Sequence, residues 1–206
     1  MHATAAPVGT RERLVFTARD YLDAEGLDGI GLREIARRAG VSHGAPLRHF
    51  PTLSALLAAV AAVGFRDLMA SVDTAIVAVP SNEPVARLAA AAFGYVHFAQ
   101  VHPGVFGLMF RSDLCDTNDV EYIMEGSASF GQLVELVAAA QAEGFHPDAV
   151  TAELAGVLWA SMHGLASLHL HGALAPTTGQ PNLNLLVHLS NSLAFGVSGI
   201  PKELQP

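Results

Sequence analysis

Cysteine and clusters of β-branched residues are scarce in this chain of 206 residues. Cys115 is the only cysteine, so no disulfide can form within the chain, and a reducing cytoplasm is the expected location. Hydrophobic residues make up 51% of the sequence and alanine is abundant, which favours helix over sheet. The N-terminus lacks the charged start and apolar core of a signal peptide, and residues 1–10 are expected to be a disordered tail.

Acidic and basic side chains are absent from Leu154 to Pro201. The segment Leu154–Leu174 is long enough to span a bilayer. It also carries three histidines and two serines, and no basic cluster flanks it to set an orientation. Packing between helices explains the same lack of charge. We therefore expect no membrane contact, with a membrane-associated helical protein as the alternative.

The charges that are present are unevenly distributed. Residues 1–66 hold eight arginines against six acids, whereas residues 67–206 hold three basic side chains against thirteen acids. A basic head on an acidic body can approach phosphates while the body is repelled. The overall charge of −8 therefore does not exclude a nucleic-acid partner.

Proline and glycine divide the chain into helical segments, and no strand is predicted. About nine helices are expected, with apolar residues at helical spacing. Their predicted ranges are 11–25, 32–39, 42–50, 53–79, 85–100, 103–110, 120–143, 147–171 and 183–197.

Residues 32–50 read LREIARRAGVSHGAPLRHF, two short helices around the turn Ala39–Val41. Gly40 is expected to supply the positive φ that a sharp turn needs, and Ser42 to cap the second helix. Ile35, Val41 and either Leu47 or Phe50 are the predicted shared core. This is the pattern of a helix-turn-helix, whose second helix enters the major groove of DNA. The alternative is an ordinary helical hairpin in a bundle.

The wider segment Arg11–Val63 resembles the DNA-binding domain of the tetracycline-repressor-like (TetR) family. The motifs that carry this resemblance are, in order, Glu25-Gly26-Leu27, Arg33-Glu34-Ile35-Ala36, Ala39-Gly40-Val41-Ser42, His49-Phe50-Pro51 and Ala55-Leu56-Leu57. In the second half, Trp159, His163 and Gly164 resemble the Trp-x-x-x-His-Gly motif of one subgroup, that with a WHG-type C-terminal domain. His43, Pro46 and Arg48 also resemble that subgroup's recognition helix.

The resemblance implies an all-α protein with two domains. Residues 11–52 would form a three-helix DNA-binding domain with the helix-turn-helix, and residues 53–206 a helical effector-binding and dimerisation domain. The implied function is a ligand-responsive transcriptional regulator, most simply a repressor. It would bind a palindromic operator as a homodimer and be released by a small hydrophobic effector.

Three positions depart from the pattern of the family. The family usually has Tyr at Leu47, Lys at Leu53, and Thr or Ser at Gly31, all groups that reach phosphates. The replacements here have no hydrogen-bonding side chain, so the sequence-independent affinity for DNA is expected to be lower. Backbone N–H groups at Leu32 and near Leu53 can still hold phosphates.

The predicted DNA contacts follow from this resemblance and from side-chain chemistry. Arg48 can make two hydrogen bonds to a guanine. For Arg33, Arg37 and Arg38, the alternative is a solvated helix face paired with Glu34. The candidate DNA-binding residues are Arg11, Arg13, Gly31, Leu32, Arg33, Ser42, His43, Gly44, Ala45, Leu47, Arg48 and His49.

Small and apolar residues in the last two helices predict a dimer interface. Small residues at spacings of three and four let a partner helix pack closely, and a helix that is apolar nearly all round must be covered. The candidate interface residues are Gly156, Ala160, Gly164, Ser167, Leu186, Leu189 and Leu193.

Large, soft side chains in the middle helices are candidates for an effector cavity, with a filled core as the alternative. Apolar walls with a few polar groups would suit a hydrophobic ligand. The candidate ligand-binding residues are Phe93, His97, Phe106, Met109, Phe110, Tyr122, Phe130, Trp159, Met162 and His163.

The histidines do not have the spacing of a metal site. His97 and His102 lie five residues apart and His169 and His171 two apart, so neither pair shares one helical face. No metal or cofactor is therefore expected. No cysteine pair, glycine-rich phosphate loop or Ser–His–acid signature is present, so a helical enzyme is a less favoured alternative to a regulator.

Overall fold

The computed structural model describes residues 9–175 and 182–195. Nine α-helices and no strand occur in these two ranges, which confirms the all-helical prediction. The helices are α1 (Thr10–Glu25), α2 (Leu32–Arg38), α3 (Ala45–His49), α4 (Leu53–Ala78), α5 (Pro84–Val101), α6 (Pro103–Met109), α7 (Val120–Ala142), α8 (Thr151–Leu170) and α9 (Leu183–Phe195). Residues 1–8 of the predicted tail, most of the loop before α9, and the predicted end of the last helix at Val197 lie outside the described residues.

Two helices begin later than predicted. The helix α3 starts at Ala45 rather than Ser42, because residues 42–45 form a turn in which the Ala45 N–H donates to the Ser42 carbonyl at 2.9 Å. Its N-cap is Gly44, and no side chain caps it, so the predicted cap by Ser42 is wrong. The helix α8 starts at Thr151 rather than Pro147, because residues 146–149 form a turn in which the Ala149 N–H donates to the His146 carbonyl at 3.0 Å, and Val150 is extended.

The described chain forms two compact units. The first combines residues 9–65 with 102–126, so it extends past the predicted domain boundary at 52. Within it α1 packs against α2, α3 and α6, and α2 packs against α3. The side chains of Leu14, Ala18 and Leu22 on one face of α1 are fully buried. This first unit contains the whole helix-turn-helix.

A close contact holds α6 on α1 inside the first unit. A Cβ on Gly104 would overlap the Leu22 carbonyl, so the two backbones meet where only glycine fits. One carboxylate oxygen of Asp23 accepts from the N–H groups of Gly104 and Val105, each at 3.1 Å, and thereby caps α6. Its other oxygen accepts from Nδ1 of His102 at 2.8 Å.

The second unit comprises residues 66–101 with the described residues from 127 onward. In it α5, α8 and α9 pack against one another. The buried cluster at its centre consists of Leu88, Val137, Ala140 and Ala155. Asn191 on α9 is also buried, and its amide donates to the Ala89 carbonyl on α5 at 2.9 Å, so the polar group is satisfied.

Among the described helices, α4 alone is long and apolar enough to cross a membrane by composition. In its most apolar window, 61% of the residues are buried inside the structure, as in the core helix of a folded domain. The helix α8, which covers most of the charge-free segment discussed above, does not meet the same criteria.

Candidate nucleic-acid interface

The turn between α2 and α3 has the geometry that the sequence predicts. Gly40 has a φ of 65°, in the left-handed region that glycine adopts without strain. The Val41 N–H donates back to the Ala36 carbonyl at 3.1 Å, which closes the end of α2. Ile35 and Ala36 are fully buried. The helix α2 is thereby fixed against its neighbours at the start of the turn.

The helix α3 has one buried face and one exposed face. Pro46 and Phe50, four residues apart, are buried. Of the two alternatives for the shared core, Phe50 is therefore correct, and Leu47 is 62% exposed. At about 100° per residue, Gly44 and Arg48 lie on the side opposite Pro46, and Leu47 lies on the flank between Pro46 and that side. The flanking residues His43 and His49 are exposed as well.

Two of the arginines on α2 are held by acids. Arg37 makes two hydrogen bonds to the Glu34 carboxylate, at 2.8 and 2.6 Å, and Arg38 makes a third at 2.7 Å. Hydrogen bonding to Arg37, and then to Arg38, lowers the pKa of Glu34 to about 2. Arg38 also bonds Glu25 and stacks over the Tyr21 ring, 4.4 Å from its centroid. The solvated, paired face is thus correct for Arg37 and Arg38.

The other arginines of the predicted interface differ in their surroundings. Arg33 and Arg48 are exposed, and neither forms an ion pair within the described part of the chain. Arg11 donates to the Glu121 carboxylate at 2.9 Å and lies over the Phe50 ring at 5.4 Å. An exposed pair of this kind contributes at most about 1 kcal/mol, so a phosphate could replace Glu121.

Two of the three positions where family phosphate contacts are missing, Gly31 and Leu53, lie at helix N-termini. Gly31 is the N-cap of α2, in extended backbone and without a side-chain cap. At the start of α4, the Thr52 hydroxyl accepts from the Ala55 N–H at 3.1 Å, as the capping preference of Thr predicts. Leu53, the first residue of α4, is half-buried. In place of the missing side chains, the N–H groups in the first turn of both helices are available to bind phosphates.

The predicted effector residues fall into two groups, one in each unit. In the first unit Phe106 and Met109 are buried, and the rings of Phe110 and Tyr122 pack against Phe65 with centroids 5.8 and 6.0 Å away. The Tyr122 hydroxyl donates to the Met109 carbonyl at 3.1 Å. Phe106 and Met109 therefore belong to the core of the first unit, whereas Phe110 and Tyr122 are half-buried.

The second group contains a hydrogen-bonded chain between α5 and α8. Nε1 of Trp159 donates to the Tyr95 hydroxyl at 3.2 Å, and that hydroxyl lies 2.8 Å from Nδ1 of His163. The Phe130 ring packs edge-on against Trp159, with centroids 6.2 Å apart. Burial raises the pKa of Tyr95 and lowers that of His163.

The other three predicted members of this group differ in burial, and one participant was missed. Phe93 and Met162 are half-buried, and His97 is exposed. Tyr95 was not predicted, although it is the residue that joins Trp159 to His163. The signal in the sequence was a tyrosine in the alanine-rich helix α5, because a buried Tyr hydroxyl needs a hydrogen-bonding partner.

The predicted dimer residues on α8 and α9 are half-buried or exposed in the described chain. A Cβ on Gly156 or Gly164 would have nothing within 4 Å. On α9 the buried positions are Leu183, Val187, His188 and Asn191. By contrast, Leu189 and Leu193 are 40% and 91% exposed.

Within residues 9–175 and 182–195, no group of three or more His, Cys, Asp or Glu side chains could hold a metal ion. Cys115 is buried, and burial raises the pKa of its thiol to about 11. A thiol with such a pKa is protonated near neutral pH and is not a nucleophile there.

Comparison with protein families gives two matches along the chain. Residues 14–60 match bacterial regulatory proteins of the TetR family, and residues 88–188 match the tetracyclin repressor-like C-terminal domain. A search of curated protein sequences found no match. The helix-turn-helix and the family matches define a DNA-binding transcription regulator and not an enzyme.

Solved structures resemble most of the chain. A protein of unknown function from Rhodococcus sp. RHA1 is 31% identical over 93% of this chain and 96% of its own, with a TM-score of 0.79. A possible TetR family transcriptional regulator from Streptomyces coelicolor A3(2) has a TM-score of 0.64 at 18% identity, covering 89% of this chain and 96% of its own. The chain belongs to the TetR family of transcriptional regulators.

Proposed function

We propose that this protein is a ligand-responsive repressor that binds a palindromic operator as a homodimer and is released by a small hydrophobic effector. The observation that carries the proposal is the exposed face of α3, where Arg48 lies beside Leu47 with no ion pair in the described chain. Residues 11–52 are the proposed DNA-binding domain, and residues 53–206 the effector-binding and dimerisation domain. A location in the cytoplasm follows from a DNA target.

The division of charge on the helix-turn-helix supports a specific role for α3. Arg37 and Arg38 are neutralised by Glu34 and Glu25, so they have less charge to offer to phosphates. Arg48 is exposed, as are His43 and His49. A guanidinium that faces a base edge can bond both O6 and N7 of guanine, a contact that discriminates by about 1–3 kcal/mol.

The exposed apolar side chains of α8 and α9 support the homodimer. Leu189 and Leu193 are on the outer side of α9, and the small residues Gly156 and Gly164 leave α8 open to a close neighbour. A second copy that covers both helices would remove this apolar surface from water. One helix-turn-helix per protomer then requires an operator with two-fold symmetry.

The effector site is proposed in the second unit, around the chain of Trp159, Tyr95 and His163. Trp159 and Phe130 are each 37% exposed, so part of both rings is available to an apolar molecule. Tyr95 and His163 supply the few polar atoms that orient a ligand in an otherwise apolar site. Met162, Phe93 and His97 are the further candidates in this unit.

Selection from a random duplex library tests the proposed function. The full chain should enrich an inverted repeat whose half-sites are one helical turn apart, roughly 34–36 Å, or a multiple of that distance. Two protomers should bind each selected duplex in sedimentation. Absence of any enriched sequence, or a single half-site occupied by one protomer, would contradict the proposal.

A further inference from the structure

An exposed leucine lies at the edge of the outward face of α3. Leu47 is 62% exposed, and the bare backbone of Gly44, one turn earlier, lies between it and Arg48 around the helix. A Cβ at Gly44 would have no atom within 4 Å, so nothing in the described chain covers the face there. The face therefore presents open backbone, one apolar side chain and one guanidinium side by side.

Packing inside the protein does not explain this leucine. Pro46 and Phe50 supply the buried face of α3, and Leu47 lies about 100° round the helix from Pro46. A single exposed leucine is common on protein surfaces, so exposure alone does not indicate a function. The position of Leu47 does, because the next residue is Arg48, the arginine proposed to read a base edge.

The chemistry of the major groove offers one apolar group at a base edge, the 5-methyl of thymine. A leucine has no donor or acceptor, so it cannot hold a phosphate oxygen or pair with the polar edge atoms of the other bases. Contact with the methyl group removes apolar surface of both partners from water. Arg48, adjacent on the same face, fits the O6 and N7 atoms of guanine.

We propose that Leu47 contacts the 5-methyl group of a thymine next to the guanine that Arg48 contacts, so that Leu47 is a specificity-determining residue. Each half-site then contains a thymine adjacent to a guanine. This inference rests on the proposed function, because it requires that α3 enters the major groove.

Replacement of thymine by deoxyuridine tests the contact, because uracil lacks only the 5-methyl group. Each thymine of the selected operator is replaced in turn, symmetrically in both half-sites, and the Kd of the unaltered protein is measured. We expect one position, next to a guanine, at which the replacement weakens binding about fourfold per half-site, the effect of one buried carbon. Thymines elsewhere in the duplex should show no change.

A variant arm assigns the effect to this side chain. Leu47→Ala should bind the thymine and the deoxyuridine duplexes equally, at the weaker affinity. Val77→Ala, at an 84% exposed position on α4, is the matched control and should keep the full dependence on the methyl group.

Two outcomes would overturn the inference while leaving DNA binding intact. If no deoxyuridine replacement weakens binding, Leu47 covers the sugar–phosphate backbone or nothing at all. If Leu47→Ala keeps the dependence on the methyl group, another residue makes the contact. A protein that binds no duplex in the selection contradicts the proposed function itself, so the two failures are distinguishable.

Discussion

Individual side chains set how much positive charge the helix-turn-helix presents to DNA. Three arginines of the basic N-terminal segment, Arg11, Arg37 and Arg38, are engaged with carboxylates in this structure. For Arg37 and Arg38, the sequence already offered pairing with Glu34 as one of two alternatives. The partner of Arg11 was not foreseeable, because Glu121 is 110 residues away along the chain. Long-range ion pairs leave no local pattern.

Leu53→Lys should strengthen binding to any duplex. The first residue of α4 is at a helix N-terminus, and a lysine there would add one neutralised phosphate per protomer. The slope of log affinity against log salt should steepen by about 1.8 per dimer, about 0.9 per added contact. The measurement is a salt titration with operator and scrambled duplexes, with Val77→Lys as a control for added charge. An unchanged slope would mean that Leu53 does not face the phosphate backbone.

His163→Gln should reduce the loss of stability in mild acid. Burial lowers the pKa of His163 below its ordinary value of about 6.5. As the pH falls through 6.5 the unfolded chain therefore takes up a proton there before the folded chain does, and acidification favours unfolding. Urea unfolding from about pH 7.5 to pH 5 should show a shallower decline for His163→Gln than for the unaltered protein. His97→Gln, at an exposed position, is the control, and equal declines in all three would refute the argument.

Local sequence signals predicted most of the helices, but the sequence did not show which distant segments contact each other. Gly40, Pro103 and the Thr52 cap marked helix ends that the structure confirms. The start of α3 was misplaced because Ser42 is a good N-cap residue, while the backbone instead turns once more before Ala45. The cap of α6 by Asp23 joins residues 81 apart, so helical periodicity could not indicate it.

Gly104→Ala should destabilise the first unit strongly. An added methyl would overlap the Leu22 carbonyl and the backbone of α1, and no flexible side chain is there to move aside. Separation of α6 from α1 should cost about 3 kcal/mol, the upper end for overpacking. Gly107→Ala lies in the same helix with nothing within 4 Å, and should be neutral or stabilising by up to about 1 kcal/mol. Equal unfolding free energies for the two variants would contradict the packing described.

Along the chain as a whole, the positive charge and the apolar surface lie in different segments, which we assign to DNA binding and to dimerisation. The basic excess is confined to residues 1–66, and the residues without charge from Leu154 to Pro201 include most of α8 and all of α9. The sequence predicted both features and their assignment to DNA and to a second copy. The sequence could not identify the effector, because aromatic residues that fill a core and aromatic residues that line a ligand site have the same spacing.

Gly164→Glu and Leu189→Glu should each abolish the dimer. Both positions are on the proposed interface of α8 and α9, where a charge would be buried without a partner. Sedimentation should give monomers or aggregates for these variants, and dimers for Val77→Glu, an exposed position on α4. Dimers from both interface variants would place the contact between protomers elsewhere.

The affinity of Arg48→Ala for the selected operator and for a scrambled duplex shows whether α3 reads the base sequence. Loss of a bidentate contact to guanine should lower affinity for the operator about 5- to 150-fold per half-site, while affinity for the scrambled duplex changes little. Arg87→Ala, which removes an exposed arginine from α5, should leave both affinities unchanged. If Arg48→Ala retains the full preference for the operator, α3 does not read the base sequence.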